Sequence, residues 1–136
     1  MLSPRHWAIA SLSTAFALAT FGTAHGQTQR TYSVEEIITS ITNCMRENAP
    51  DDWQRLIFTL DEVQATEEKK FSFSHKIVVG DAKSEPKDVE PCRPVYVPNA
   101  VNALRDTQDE KARGWTGITI TVERDGKYSI TYRYPK

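Results

Sequence analysis

Histidine and cysteine are scarce in this sequence, and the motifs of several enzyme classes are missing. Three histidines and two cysteines occur in 136 residues, and no HExxH, glycine-rich phosphate loop or serine nucleophile elbow is present. The acidic pairs Asp51/Asp52 and Asp61/Glu62 could in principle supply an acid and a base, but a chain with 18 acidic residues contains such pairs anyway. We therefore expect no catalytic residue, no metal site and no cofactor.

An excess of charge of one sign is also missing. Lysine and arginine number 17 and aspartate and glutamate 18, which gives a formal net charge of −1. A protein that holds nucleic acid or an anionic membrane by its field carries a broad basic surface. The balance therefore argues against a nucleic-acid partner.

Long uncharged stretches are rare too, and the clearest one lies at the N terminus. Residues 7 to 21 carry no charge, follow the basic Arg5 and precede the small residues Ala24 and Gly26. This pattern predicts a signal peptide over residues 1 to 26, cleaved after Gly26. The run is short for a bilayer span of roughly 20 residues, although an N-terminal membrane anchor is the alternative. We expect a periplasmic or secreted protein that has no membrane contact after cleavage.

Cleavage would leave residues 27 to 136 as a single domain of a size that can bury a real core. It would also remove His6 and His25, so that His75 is the only histidine left. Because export delivers a protein to an oxidising compartment, Cys44 and Cys92 are predicted to form a disulfide. Free or metal-binding thiols are the alternative, but two cysteines and one histidine without close spacing do not make a zinc site.

Two helices are predicted from capping and periodicity. Ser33 and Glu36 form a capping box ahead of apolar residues at helical spacing, and Ala49-Pro50 ends this first helix. A second helix is predicted from Pro98 to Arg113, with Gly114 as its stop. The stretch from 80 to 97 contains three prolines and is expected to be a loop.

Strand patterns flank this second helix on both sides. Residues 54 to 60 alternate in polarity, and so do residues 71 to 79, where His75 falls in phase with the apolar residues. A catalytic or pH-sensing role for His75 is conceivable, but a half-buried histidine is the simpler interpretation. Together with a final hairpin, these elements predict an α+β fold in which an antiparallel sheet of about four strands packs against two helices in the order α-β-β-α-β-β.

The register of the final hairpin can be predicted from its apolar residues. If both strands cover one core, Val122 must lie opposite Tyr128, and this requires a three-residue loop, Arg124-Asp125-Gly126. Gly126 would then adopt a left-handed conformation in a bulge.

Several motifs in order resemble one protein family. These are Ala-Pro-Asp-Asp-Trp at 49 to 53, Asp-Glu-Val at 61 to 63, Phe-Ser-Phe at 71 to 73, Leu-Arg at 104 to 105, Gly-Trp at 114 to 115, the alternating Ile118, Ile120 and Val122, Asp-Gly-Lys-Tyr at 125 to 128 and Tyr-Arg-Tyr at 132 to 134. In this order they resemble the YezG-like immunity proteins, and the resemblance covers most of residues 27 to 136. A signal peptide and a cysteine pair are departures from that family's usual pattern.

The resemblance implies an α+β antitoxin that binds a cognate bacterial protein toxin and blocks it without catalysis. The partner-binding residues would be acidic groups and aromatic anchors, which are favoured at interfaces: Trp53, Asp61, Glu62, Trp115 and Tyr134. Core packing is the alternative role for both tryptophans.

Two other functions fit the same sequence. One is an exported inhibitor of a hydrolase such as a lysozyme or a protease, which would use the same disulfide-closed scaffold. The other is a small-molecule carrier with a pocket lined by Phe58, Phe73 and Tyr128.

Overall fold

A computed structural model describes residues 31–65 and 68–136 of the chain. The predicted signal peptide, residues 1 to 26, lies outside the described residues. The helices and strands in chain order are α1 (Val34–Arg46), β1 (Trp53–Ala65), β2 (Glu68–Val79), β3 (Lys87–Asp88), α2 (Tyr96–Asp106), a short 3-10 helix (Ala112–Gly114), β4 (Gly117–Glu123) and β5 (Tyr128–Arg133). In the described ranges, no helix is both long enough and apolar enough to cross a membrane.

The predicted α+β fold is confirmed, with a five-stranded antiparallel sheet in the order β3-β2-β1-β4-β5. The extra strand is β3, a two-residue segment within the predicted loop that pairs with Lys76 and Ile77. A segment this short carries no alternation of polarity, so a sequence pattern cannot reveal it. β1 and β2 form the longest pairing and place β1 at the centre of the sheet.

Helix α1 begins as predicted. The Ser33 Oγ accepts from the amide of Glu36 at 3.1 Å, and the Glu36 carboxylate accepts from the amide of Ser33 at 3.0 Å. The apolar stripe of the helix is buried against the sheet, and the buried residues are Ile37, Ile38, Ile41, Cys44 and Met45.

The hydrophobic core lies between the two helices and one face of the sheet. It combines the helix residues with alternate residues of β1, β2 and β4, among them Leu56, Phe58, Ile77, Ile118 and Ile120. Removing such side chains from water is the main source of stability in a domain of this size.

The predicted disulfide is present between Cys44 and Cys92. It joins the last turns of α1 to the segment before α2, and the amide of Cys92 also donates to the carbonyl of Cys44 at 2.9 Å. The covalent and hydrogen bonds together fix a segment that is otherwise mostly loop.

The predicted bounds of α2 are wrong at both ends. The helix runs from Tyr96 to Asp106, so Pro98 lies in its first turn, where a missing amide costs little. It ends early because Thr107 caps the last turn: its amide and its hydroxyl both donate to the carbonyl of Leu104, at 3.1 and 2.7 Å. The remaining residues of the prediction form turns and the 3-10 helix.

The predicted register of the last hairpin is confirmed. Val122 pairs with Tyr128, the amide of Gly126 donates to the carbonyl of Glu123 at 2.9 Å, and Gly126 has a φ of 95°. A residue with a side chain rarely adopts this left-handed conformation, which explains the glycine.

Candidate functional site

The five residues predicted to bind a partner lie in two separate places. Trp53 is the first residue of β1, whereas Asp61 and Glu62 lie farther along the same strand. At about 3.3 Å per residue, Trp53 is roughly 26 Å from Asp61. Trp115 lies just before β4 and Tyr134 just after β5. Both are at the Asp61 end of the sheet, where the amide of Glu62 donates to the carbonyl of Thr116 at 2.9 Å.

Trp53 packs at the far end of the core and is 7% exposed. The guanidinium of Arg124 lies 4.9 Å from the centre of its ring and donates to its carbonyl at 3.0 Å. Through these two contacts, the Arg124 side chain anchors the β4–β5 turn to the start of β1.

Trp115 is also a core residue and is 2% exposed. Its Nε1 donates to the Gln108 side chain at 2.8 Å, and its ring stacks against the Arg105 guanidinium, 3.8 Å from the ring centre. In this conformation the indole is covered on both sides and does not reach the surface. Packing is thus the role that the structure gives to both tryptophans.

Asp61 is accessible and is held in place by an arginine two strands away. Arg133 donates from Nε to Asp61 Oδ1 at 2.9 Å and from Nη1 to the Thr119 hydroxyl at 2.8 Å. Gly117 lies between them in β4, and the arginine side chain passes over it. About half of each charged side chain remains exposed, so a partner can still reach this ion pair.

Glu62 and Tyr134 complete the same end of the sheet. Glu62 is half-buried and pairs with Phe71 of β2. Tyr134 is 49% exposed, and its hydroxyl donates to the carbonyl of Ala112 at 2.7 Å. The ring is therefore fixed at one end and open to solvent along its length.

Two aromatic residues of β2 that are not among the predicted partner-binding residues lie next to Glu62. Phe71 is 48% exposed and Phe73 is 41% exposed, although both are in phase with the buried His75 and Ile77. The alternation in the sequence correctly indicates their face, but it cannot show that the core ends near Leu60. We call Asp61, Glu62, Phe71, Phe73 and Tyr134 the sheet-end surface. It includes both faces at this end of the sheet, because Asp61 lies opposite Ser72 and faces away from Glu62, Phe71 and Phe73.

His75 lies just inside this surface. It is 9% exposed, and its ring contacts Phe58 and Phe73 with centroids 5.2 and 5.8 Å apart. Its Nε2 has no hydrogen-bond partner within the part of the chain that the structure describes. Burial lowers the pKa of His75 because an imidazolium would lose its hydration there. Among the described residues no carboxylate orients the ring, so the environment favours a neutral packed side chain.

The described ranges contain no group of three or more His, Cys, Asp or Glu side chains placed to hold a metal ion. The acidic pair Asp51/Asp52 is in a turn at the opposite end of β1 from Asp61 and Glu62. The two pairs therefore do not form one site.

A groove of about 1080 Å³ runs between α1 and α2, with the disulfide among its lining atoms. Most of its charged groups already have partners within the chain. Glu36 belongs to the capping box, Glu35 accepts from the Tyr128 hydroxyl at 3.0 Å, and Arg93 lies over the ring of Tyr96. The groove is therefore a weaker candidate than the sheet-end surface.

The structure counts against a carrier pocket lined by Phe58, Phe73 and Tyr128. Phe58 is fully buried. Phe73 is on β2 and Tyr128 on β5, three strand spacings or roughly 14 Å apart across the sheet, and they lie toward opposite ends of it. These three side chains cannot enclose one small ligand.

Comparison with known proteins adds no further assignment, since no protein-family model and no curated protein matches the sequence. The sheet-end surface is therefore the feature on which a function has to rest.

Proposed function

We propose that this chain is an exported immunity protein that binds a bacterial protein toxin and neutralises it without catalysis. The resemblance to the YezG-like immunity proteins suggested this role. The observation that carries the proposal is the pair of half-exposed phenylalanines, Phe71 and Phe73, beside Glu62 on the same face of the sheet.

The composition of this surface suits a protein partner. Aromatic side chains contribute much of the binding energy at interfaces, and nearby charges add specificity and faster association. On the other face at the same end of the sheet, the Asp61–Arg133 ion pair offers both signs of charge. Tyr134 adds a ring whose hydroxyl is already satisfied, so that binding need not desolvate an unpaired polar group.

Export sets the place of action in this proposal. A disulfide persists in oxidising compartments, and the Cys44–Cys92 bond joins α1 to the segment that precedes α2. Together with the predicted signal peptide, the disulfide supports a protein that meets the toxin in the periplasm or outside the cell.

The test is a competition assay with siblings that deliver the toxin, in which the neighbouring reading frame is tested as the candidate toxin gene. Deleting the gene should sensitise the cells, and the full-length gene should restore resistance. A gene that keeps Met1 but lacks codons 2 to 26 should fail to restore it, because the toxin and the antitoxin would then be in different compartments.

The surface is tested with the double variant Phe71→Ser/Phe73→Ser. Loss of two aromatic anchors should weaken toxin binding by at least about tenfold. The matched control is Tyr32→Ser/Val95→Ser, which removes two similarly exposed apolar side chains away from the surface. Full resistance in the deletion strain, or inhibition of a lysozyme or protease by the purified protein in place of toxin binding, would refute the immunity proposal.

A further inference from the structure

The outer edge of β2 is paired over only a short part of its length. Within the described ranges, β3 pairs with Lys76 and Ile77, and the amide of Val89 donates to the carbonyl of His75 at 3.0 Å. Beyond His75, toward the sheet-end surface, no described strand lies on this side of β2.

A proline explains why the pairing stops there. In the β2–β3 register, Lys76 faces Asp88 and Ile77 faces Lys87, so the residue that would face Phe73 is Pro91. Proline has no amide hydrogen and cannot donate to the carbonyl of Phe73. The chain therefore cannot cover the rest of its own β2 edge with this segment.

The unpaired edge presents backbone groups at Phe71 and Phe73. The N–H and C=O of one residue point to the same side of a strand, and this side alternates along the chain. Because the carbonyl of His75 points toward β3, the amides and carbonyls of Phe73 and Phe71 point away from β1 as well. Those of Ser72 point toward Asp61 in β1.

The side chains along this edge alternate between apolar and basic or polar. Phe71 and Phe73 lie on the helix side of the sheet, whereas Lys70, Ser72 and Lys76 lie on the other side. β3 shows how an acidic residue fits this second side, because Asp88 pairs with Lys76 at 2.8 Å. An added strand would meet the same arrangement at Lys70, which is exposed.

The geometry points to strand addition: the protein partner supplies an extended segment that continues the line of β3 along the β2 edge, with apolar residues against Phe71 and Phe73 and an acidic residue near Lys70. Main-chain hydrogen bonds would give such a segment affinity, and the alternating side chains would give it specificity. This inference rests on the proposed function for the partner being a protein. It adds that the sheet-end surface binds an extended segment of that protein.

A second copy of this chain is the less suitable occupant. Pairing two open β2 edges would place the exposed Lys70 of both copies on one short ladder, and like charges there oppose pairing. An acidic segment meets no such repulsion.

The experiment uses the purified protein and a short capped peptide of alternating valine and aspartate at millimolar concentration. Hydrogen exchange is followed by NMR. With the peptide at about ten times its Kd, the Phe71 and Phe73 amides should exchange about tenfold more slowly, and the Ser72 amide should be unchanged. A peptide with lysine in place of aspartate should protect them less. Lys70→Glu should reverse this preference, whereas the control Lys127→Glu, in the β4–β5 turn, should keep it.

Three results would overturn strand addition. The first is no protection of these two amides by the acidic peptide. The second is protection that appears on concentrating the protein alone, which would make a second copy the occupant. The third is a toxin that is bound and neutralised while both amides exchange freely, which would leave the proposed function standing. Protection by the peptide without any neutralised toxin would instead leave strand addition standing and refute the immunity role.

Discussion

Arg133 reaches Asp61 across an intervening strand, and it can do so because the residue between them is glycine. A methyl group at position 117 would overlap Asp61 Oδ1 and lie 2.8 Å from Arg133 Nε. The ion pair on the sheet-end surface therefore depends on a residue that takes no part in it.

We predict that Gly117→Ala uncouples this pair. A double-mutant cycle with Asp61→Asn and Arg133→Gln should give a coupling energy of about 0.5 to 1 kcal/mol in the natural background, as expected for a partly exposed pair. In the Gly117→Ala background the coupling should fall to near zero. Urea unfolding of the eight proteins measures both values.

Gly114→Ala is the control background, because a methyl group there would meet nothing within 4 Å. Equal coupling energies in the natural and Gly117→Ala backgrounds would mean that the pair re-forms around the methyl group and that Gly117 has another role.

We predict that removing the disulfide lowers the free energy of unfolding by about 4 kcal/mol, the chain-entropy value for a loop of this length. Cys44 and Cys92 are 48 residues apart, so a bridge between them strongly restricts the unfolded chain. Cys44→Ala/Cys92→Ala should unfold at a lower urea concentration than the natural protein. Reductant should lower the urea midpoint of the natural protein and leave that of the variant unchanged. An unchanged midpoint of the natural protein in reductant would contradict this prediction.

The sequence predicts the local features of this fold well because each depends on neighbouring residues. The capping box of α1 and the three-residue loop before Lys127 need only short patterns. The end of α2 and the existence of β3 depend instead on a single threonine cap and on tertiary pairing with Lys76 and Ile77. Such features have no periodic signal.

The candidate site is only partly predictable for the same reason. Asp61, Glu62 and Tyr134 can be named from the sequence, but the two tryptophans are core residues. Phe71 and Phe73 show the converse: they alternate in phase with core residues but are about half exposed. Where a core ends depends on how far the helices cover the sheet, and no local pattern records this.

We predict that acid destabilises the protein through His75. Burial lowers the pKa of His75 in the folded state, whereas the unfolded value is about 6.5. The folded state thus binds the proton less readily. The contribution of neutral His75 to the free energy of unfolding is complete above pH about 6.5. It is lost as the pH falls below this value, by at most about 1.4 kcal/mol per pH unit.

His75→Phe provides the comparison, since it keeps an aromatic ring against Phe58 and Phe73 but cannot titrate. Urea midpoints are measured between pH 7 and pH 5 for both proteins. The natural protein should lose more stability than the variant over this range, and parallel curves would rule out His75 as the cause.

Finally, we predict that Arg105→Lys destabilises the protein by about 1 kcal/mol although the charge is kept. The planar guanidinium lies 3.8 Å from the centre of the Trp115 ring and donates to the Trp115 carbonyl at 3.1 Å. An ammonium group can replace the charge but not the flat stacking. The control is Arg113→Lys, an exposed position nearby that should change stability little. Urea unfolding followed by circular dichroism compares the two variants. Equal midpoints for both would show that the stacked geometry contributes nothing and that Trp115 is held by its core contacts and Gln108 alone.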